Sequence, residues 1–131
     1  MAHQQITQEW WDKRDRFELF VSDAVIQEIS QGNQEAAQRR LAAVDGFASL
    51  DFDEPVIDFA KELIAENLLP EKALLDAIHI AIAALNGTDF LLTWNCKHIA
   101  NATMRPKIER KCRLVGLVPT VICTPEQLLE F

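Results

Sequence analysis

The fold this sequence predicts is an α/β sandwich built on a parallel sheet, and three observations lead to it. Short apolar runs alternate with helical segments along the whole chain, the order in which helices wrap around a parallel sheet. From Ala73 to Leu85 the chain is apolar nearly all round, as a helix inside a core must be. Phe90-Leu91-Leu92-Thr93-Trp94 is an unbroken apolar run without alternation, which suits a strand covered on both faces. With 131 residues the chain is read as a single domain, 1–131. A domain of this size buries roughly two-thirds of the surface that its unfolded chain exposes.

Thr7 is placed to cap a first helix that reaches about Phe17, with Trp10, Trp11 and Phe17 as its apolar residues. Leu19-Phe20-Val21 reads as a short strand, and Ser22-Asp23 as the start of a second helix. In that helix Ala24, Val25, Ile26 and Ile29 define the apolar arc; Glu28 projects within it, while Gln27, Ser30 and Gln31 lie opposite. Gly32-Asn33 breaks the pattern before an Ala-rich helix from Gln34 to Val44 that stops near Gly46. Ser49 to Phe52 is a short strand, and Asp53-Glu54-Pro55 opens an amphipathic helix running to Ile64. Asn67 to Pro70 connects it to the central apolar helix, which Asn86-Gly87 ends. After the strand that finishes at Asn95, Cys96 to Thr103 is a polar connector, and Arg105-Pro106 begins a basic helix ending at Gly116. Val121-Ile122-Cys123 is the last strand, and Thr124-Pro125-Glu126-Gln127 has the Thr and Gln of a capping box for a closing helical turn.

Composition narrows the class of protein. Three cysteines with no Cys-x-x-Cys pair indicate neither a disulfide framework nor a structural zinc site, and a reducing cytoplasm fits such usage. No apolar run approaches the length of a membrane span, and the start MAHQQITQEWWDKRD is too polar for a signal peptide. A formal charge of −7 argues against a general nucleic-acid coat. Between residues 97 and 113, however, Lys97, Arg105, Lys107, Arg110, Lys111 and Arg113 face only Glu109. Such a ridge attracts phosphate, and it is equally the pattern of a solvated helix face.

The candidate chemistry lies in the acids that interrupt apolar surfaces. Along the central helix, Lys72, Asp76 and His79 fall in one narrow stripe with Ala83, so a carboxylate and an imidazole point the same way. Glu28 is a second acid on an inward arc. Asn95 ends a strand, where ligands of open α/β sheets bind. Converging carboxylates repel one another, and a divalent cation relieves that repulsion. Oxygen ligands with few imidazoles suit Mg²⁺ or Mn²⁺. The alternative is structural: Lys72 pairs with Asp76 four residues on, and Glu28 reaches a cationic neighbour. His79, on the Asp76 stripe, is read as a satisfied partner rather than a base, and His98 as a phosphate contact or a cap of the connector. Four isolated glycines exclude a phosphate-cradling loop, and no serine sits in a nucleophile elbow.

The pieces VSDAVIQEIS, ALLDAIHIAIAALNGTDFLLTWNCKHIANA and VICTPEQLL resemble the PIN domain, and specifically toxins of the VapC type, over essentially the whole chain. The most specific part is Asp-Ala-x-x-x-Ala followed by an apolar strand and Thr-x-Asn. The resemblance implies a three-layer α/β/α sandwich with a central parallel sheet, and a Mg²⁺- or Mn²⁺-dependent endoribonuclease. It implies Glu28, Asp76 and Asn95 as metal ligands with the Thr93 hydroxyl beside them. RNA would be guided by Lys97, His98, Arg105, Lys107, Arg110, Lys111 and Arg113. Toxins of this family commonly pair with an antitoxin and dimerise, so a cognate antitoxin and a homodimer are expected partners. The chain departs from the pattern at its start: PIN domains open with a central strand carrying an acid, and here the helical region comes first. That departure is compatible with translation beginning upstream of Met1, with a strand supplied by another copy of the chain, or with a catalytically impaired module that binds RNA or a protein partner.

Overall fold

The computed structural model describes residues 2–50, 52–92, 104–123 and 125–129. In chain order the elements are α1 (Ala2–Asp12), a 3₁₀ turn (Arg14–Arg16), β1 (Phe20–Ser22), α2 (Asp23–Ile29), α3 (Gln34–Ala43), β2 (Ala48–Leu50), α4 (Glu54–Ala65) and a second 3₁₀ turn (Glu71–Ala73). There follow α5 (Leu74–Leu85), β3 (Phe90–Leu92), α6 (Arg105–Leu114), β4 (Val121–Cys123) and α7 (Pro125–Leu128). This is a mixed α/β fold with short parallel strands.

Local chemistry sets most of the boundaries. Ser22 Oγ accepts from the Val25 amide at 3.1 Å, Asn33 Oδ1 from Ala36 at 2.9 Å and Asp53 Oδ1 from Val56 at 3.4 Å, so three helices begin on side-chain caps. At the other end of α5, Gly87 takes a φ of 67°, and the Thr88 amide donates to the Ala83 carbonyl at 3.0 Å. That 6→1 bond is the Schellman closure, and it needs the left-handed residue glycine supplies. Asn67, at φ 61°, closes α4 the same way, with Leu68 donating to Leu63 at 2.9 Å. The first helix differs from expectation, since it starts by Ala2 and Thr7 lies inside it rather than capping it. Its anchor is tertiary: Trp10 is buried beside Cys123 and Leu128.

Each strand is three residues long, and the strands pair in parallel as two separate ladders. Phe20, Val21 and Ser22 lie opposite Ala48, Ser49 and Leu50, and Phe90, Leu91 and Leu92 opposite Val121, Ile122 and Cys123. The expected parallel pairing is therefore present, but among the described residues no ladder joins the two pairs into one central sheet.

The core is the seam between α4 and α5, the most extensively packed pair of elements. Val56, Phe59, Ala60 and Leu63 of α4 meet Ala77, Ile80, Ala81 and Ala84 of α5, whose alanines let the two backbones approach closely. Leu50 of β2, Leu91 of β3 and Ile122 of β4 join this cluster, so both ladders lean on the same helices. Alternate residues go elsewhere: Phe90 and Leu92 pack with Trp10, Phe17 and Leu19, along with Cys123 and Leu128. The β3–β4 pair thus packs on both faces, with Val121 left exposed, in keeping with a sequence that shows no polar alternation.

Candidate functional site

The contact that brings sequence-distant candidates together is between α2 and α5. Glu28 Oε2 and His79 Nε2 lie 3.2 Å apart, although 51 positions separate them in the chain. A carboxylate can only accept, so Nε2 carries the hydrogen and donates it. The environments of the two groups are unequal. The His79 side chain is 13% exposed and Glu28 53%. The neighbour that Glu28 reaches is therefore an imidazole on the core helix, and Glu28 itself stands largely in water instead of on a buried face. Helical phase was read correctly, but α2 is only seven residues long and buries Ala24 alone, so little covers its later turn.

Asp76 is half-buried in the first turn of α5 and precedes His79 by three residues, which puts both on one face of the helix. An acid there is also favoured by the positive end of the helix dipole, a structural reason for its presence that needs no ligand. Through His79, then, Glu28 comes beside the face that carries Asp76. Asn95 and Thr93 lie outside the described residues, as do Lys97 and His98.

The described part of the basic ridge divides by role. Lys111 is pinned between α6 and α4, with Nζ 2.6 Å from Glu66 Oε2 and 3.6 Å from Glu62 Oε1. Its hydrogen bond to Glu66 holds the ammonium above its ordinary pKa, helped by the charge of Glu62. Arg105 donates from Nη1 to the Ile122 carbonyl at 3.2 Å and so braces β4. Lys107, Arg110 and Arg113 are exposed on α6. Sequence spacing could not separate these classes, because the partners of Lys111 come from a helix more than forty positions earlier.

Two further features bear on what the molecule can hold. A crevice of about 10 Å³, room for one water, lies between α5, α6 and β4 and is lined by Ile80, Leu91, Ile108 and Cys112 with Arg105 at one side. It is too small and too apolar for a nucleotide. Among the described residues no group of three His, Cys, Asp or Glu side chains converges as a ready-made metal cage. Glu28 and Asp76 nevertheless fit Mg²⁺ or Mn²⁺ in donor type, because Mg²⁺ keeps most of its water and is commonly bound through one or two carboxylates.

His79 is the residue whose role the sequence left open. Its signal was its place on the Asp76 stripe, which gave the face but not the partner. Ser49 Oγ, donating to Asp23 Oδ1 at 3.3 Å across the first ladder, had no sequence signal. Comparison of the chain with protein-family models, with curated proteins and with solved structures returns no match.

Proposed function

We propose that this chain is a PIN-like, metal-dependent endoribonuclease domain that hydrolyses RNA phosphodiester bonds. The observation that supports the reading is the meeting of Glu28 with the Asp76–His79 face of α5 across a long stretch of sequence. In it, Glu28 and Asp76 would hold a Mg²⁺ or Mn²⁺ ion directly or through water, and the family likeness adds Asn95 and Thr93, outside the described residues, as further oxygen donors. The bound ion supplies an activated water and offsets negative charge on the phosphate. Lys107, Arg110 and Arg113 attract the RNA backbone, together with Lys97 and His98. The three-layer α/β/α arrangement belongs to the same proposal, and it is supported by the coverage of β3 and β4 on both faces. A cognate antitoxin, a second copy of the chain and a cytoplasmic setting follow from the family likeness; the structure contributes that no described helix is long and apolar enough to cross a membrane.

The test is cleavage of single-stranded RNA with and without Mn²⁺, by this chain and by Asp76→Asn. Cleavage that needs Mn²⁺ and disappears in the variant is the expected result. Equal activity of the two proteins removes Asp76 from the mechanism.

A second reading is a PIN-like module that binds RNA or a protein without turnover. It is favoured by the lack of a three-group cluster among the described residues. Titration calorimetry with Mn²⁺ separates the two, since such a module gives no saturable heat.

A further inference from the structure

We infer that the basic face of α6 and the aliphatic tip that follows it form a docking surface for an acidic amphipathic helix of a partner protein. The inference does not depend on the metal-dependent reading above, because it rests on side chains to which that reading gives no role.

Leu114, Val115, Val118 and Val121 are all exposed within one short stretch, 114–121, and Leu114 and Val118 stand 77% and 80% open to solvent. Aliphatic side chains that protrude together, rimmed by charge, mark an interaction site. The backbone beneath them is anchored. Gly116, at φ 84°, closes α6, and the Leu117 amide donates to the Cys112 carbonyl at 2.8 Å. That closure sets Leu117 against the main core, and Thr120 Oγ donates to the Thr88 carbonyl at 3.0 Å. The bonds that hold Leu117 and Thr120 inward leave Val118 and Val121 outward, so a partner meets a preformed surface and little ordering is lost on binding.

Charge and geometry select the occupant. Lys107, Arg110 and Leu114 follow one another at spacings of three and four along one face of α6, so cations lead directly to the apolar tip. A helix with carboxylates on its flank and apolar residues on its buried face complements both parts. A strand added along β4 is opposed, because the Ile122 carbonyl already accepts from Arg105 Nη1 at 3.2 Å. Single-stranded RNA answers the cations, but its bases stack on aromatic rings, and 104–123 contains none, so RNA leaves the tip uncovered. An anionic membrane draws on about four to eight clustered cations. Lys111 and Arg105 are already engaged, so the described part of α6 offers fewer than that, and the acidic remainder of the chain opposes such a surface.

Fluorescence anisotropy with a labelled synthetic peptide tests this, the peptide carrying leucine at positions i, i+3, i+4 and i+7 and glutamate elsewhere. A scrambled peptide of the same composition, single-stranded RNA and phosphatidylserine vesicles are run beside it. The proteins are the intact chain, Leu114→Ser/Val118→Ser and Arg110→Glu, with a melting curve for each. The expected result is saturable binding of the amphipathic peptide that weakens with salt, and a loss of about 10-fold or more in each variant and with the scrambled peptide. Leu114→Ser/Val118→Ser should keep its RNA affinity and its melting temperature, since both side chains are exposed. Absence of saturable peptide binding, equal affinity for the scrambled peptide, or unchanged peptide affinity in Leu114→Ser/Val118→Ser overturns the inference. Loss of RNA affinity in that double variant overturns it in favour of a nucleic-acid surface, and vesicle binding in place of peptide binding overturns it in favour of a membrane.

Discussion

Burial pushes the Cys123 thiol from 9.0 up to about 11, against a small opposing pull from Arg105. Well below pH 9 the thiol is protonated in both folded and unfolded chains and contributes no pH dependence. Between the two values the unfolded chain releases its proton first, so stability falls as pH rises through that window. Lys111 acts in the same direction at its own raised pKa, since the ion pair with Glu66 is lost once the ammonium deprotonates. Melting temperatures measured from pH 8 to 11 should therefore decline for the unmodified chain, and Cys123→Ala should flatten that decline without abolishing it. Residue-scale features of this kind were only partly legible. The stripe that carries His79 was readable from helical spacing, whereas its partnership with Glu28 depended on a helix that folding brings in from far along the chain.

At the scale of elements, local rules and tertiary anchoring each account for a part of the structure. Ser22, Asn33 and Asp53 act as caps because their side chains reach amides three positions on, a distance fixed by covalent geometry. Thr7 misled because capping chemistry is read locally: α1 already runs through it, from Ala2 to Asp12, and is docked by Trp10 onto Cys123 and Leu128. The apolar faces of α4 and α5 were legible from helical periodicity, their packing on each other was not, and the cost of disrupting that seam can be stated. Leu63 is 0% exposed within it. Leu63→Ala should lower the free energy of unfolding by about 2–5 kcal/mol, read from urea titration, because the cavity it leaves is walled by helices that cannot close over it.

For the whole molecule, charge and sheet organisation decide the behaviour. The chain is acidic overall, and the exposed cations of α6 stand out against that background. If the ridge contacts RNA, Arg110→Ala should reduce the slope of log affinity against log salt by about 0.7, the value for one phosphate contact on a single strand. Lys111→Ala should leave that slope unchanged and lower the melting temperature instead, since its ammonium is committed to Glu62 and Glu66. Filter binding at several salt concentrations, beside a melting curve, distinguishes the two kinds of cation. The α/β class was legible because alternation of element types survives in the sequence. The division of the strands into two pairs among the described residues was not, because apolar runs reveal that a strand is covered without revealing which strand lies next to it.

Those pairs also govern how the molecule comes apart. Among the described residues each ladder has three residues a side, too few to persist unaided in water. Each pair is held in place by the same two helices, which act as a common keel. Loosening that keel removes packing from both described ladders together, so the two should be lost in one cooperative transition.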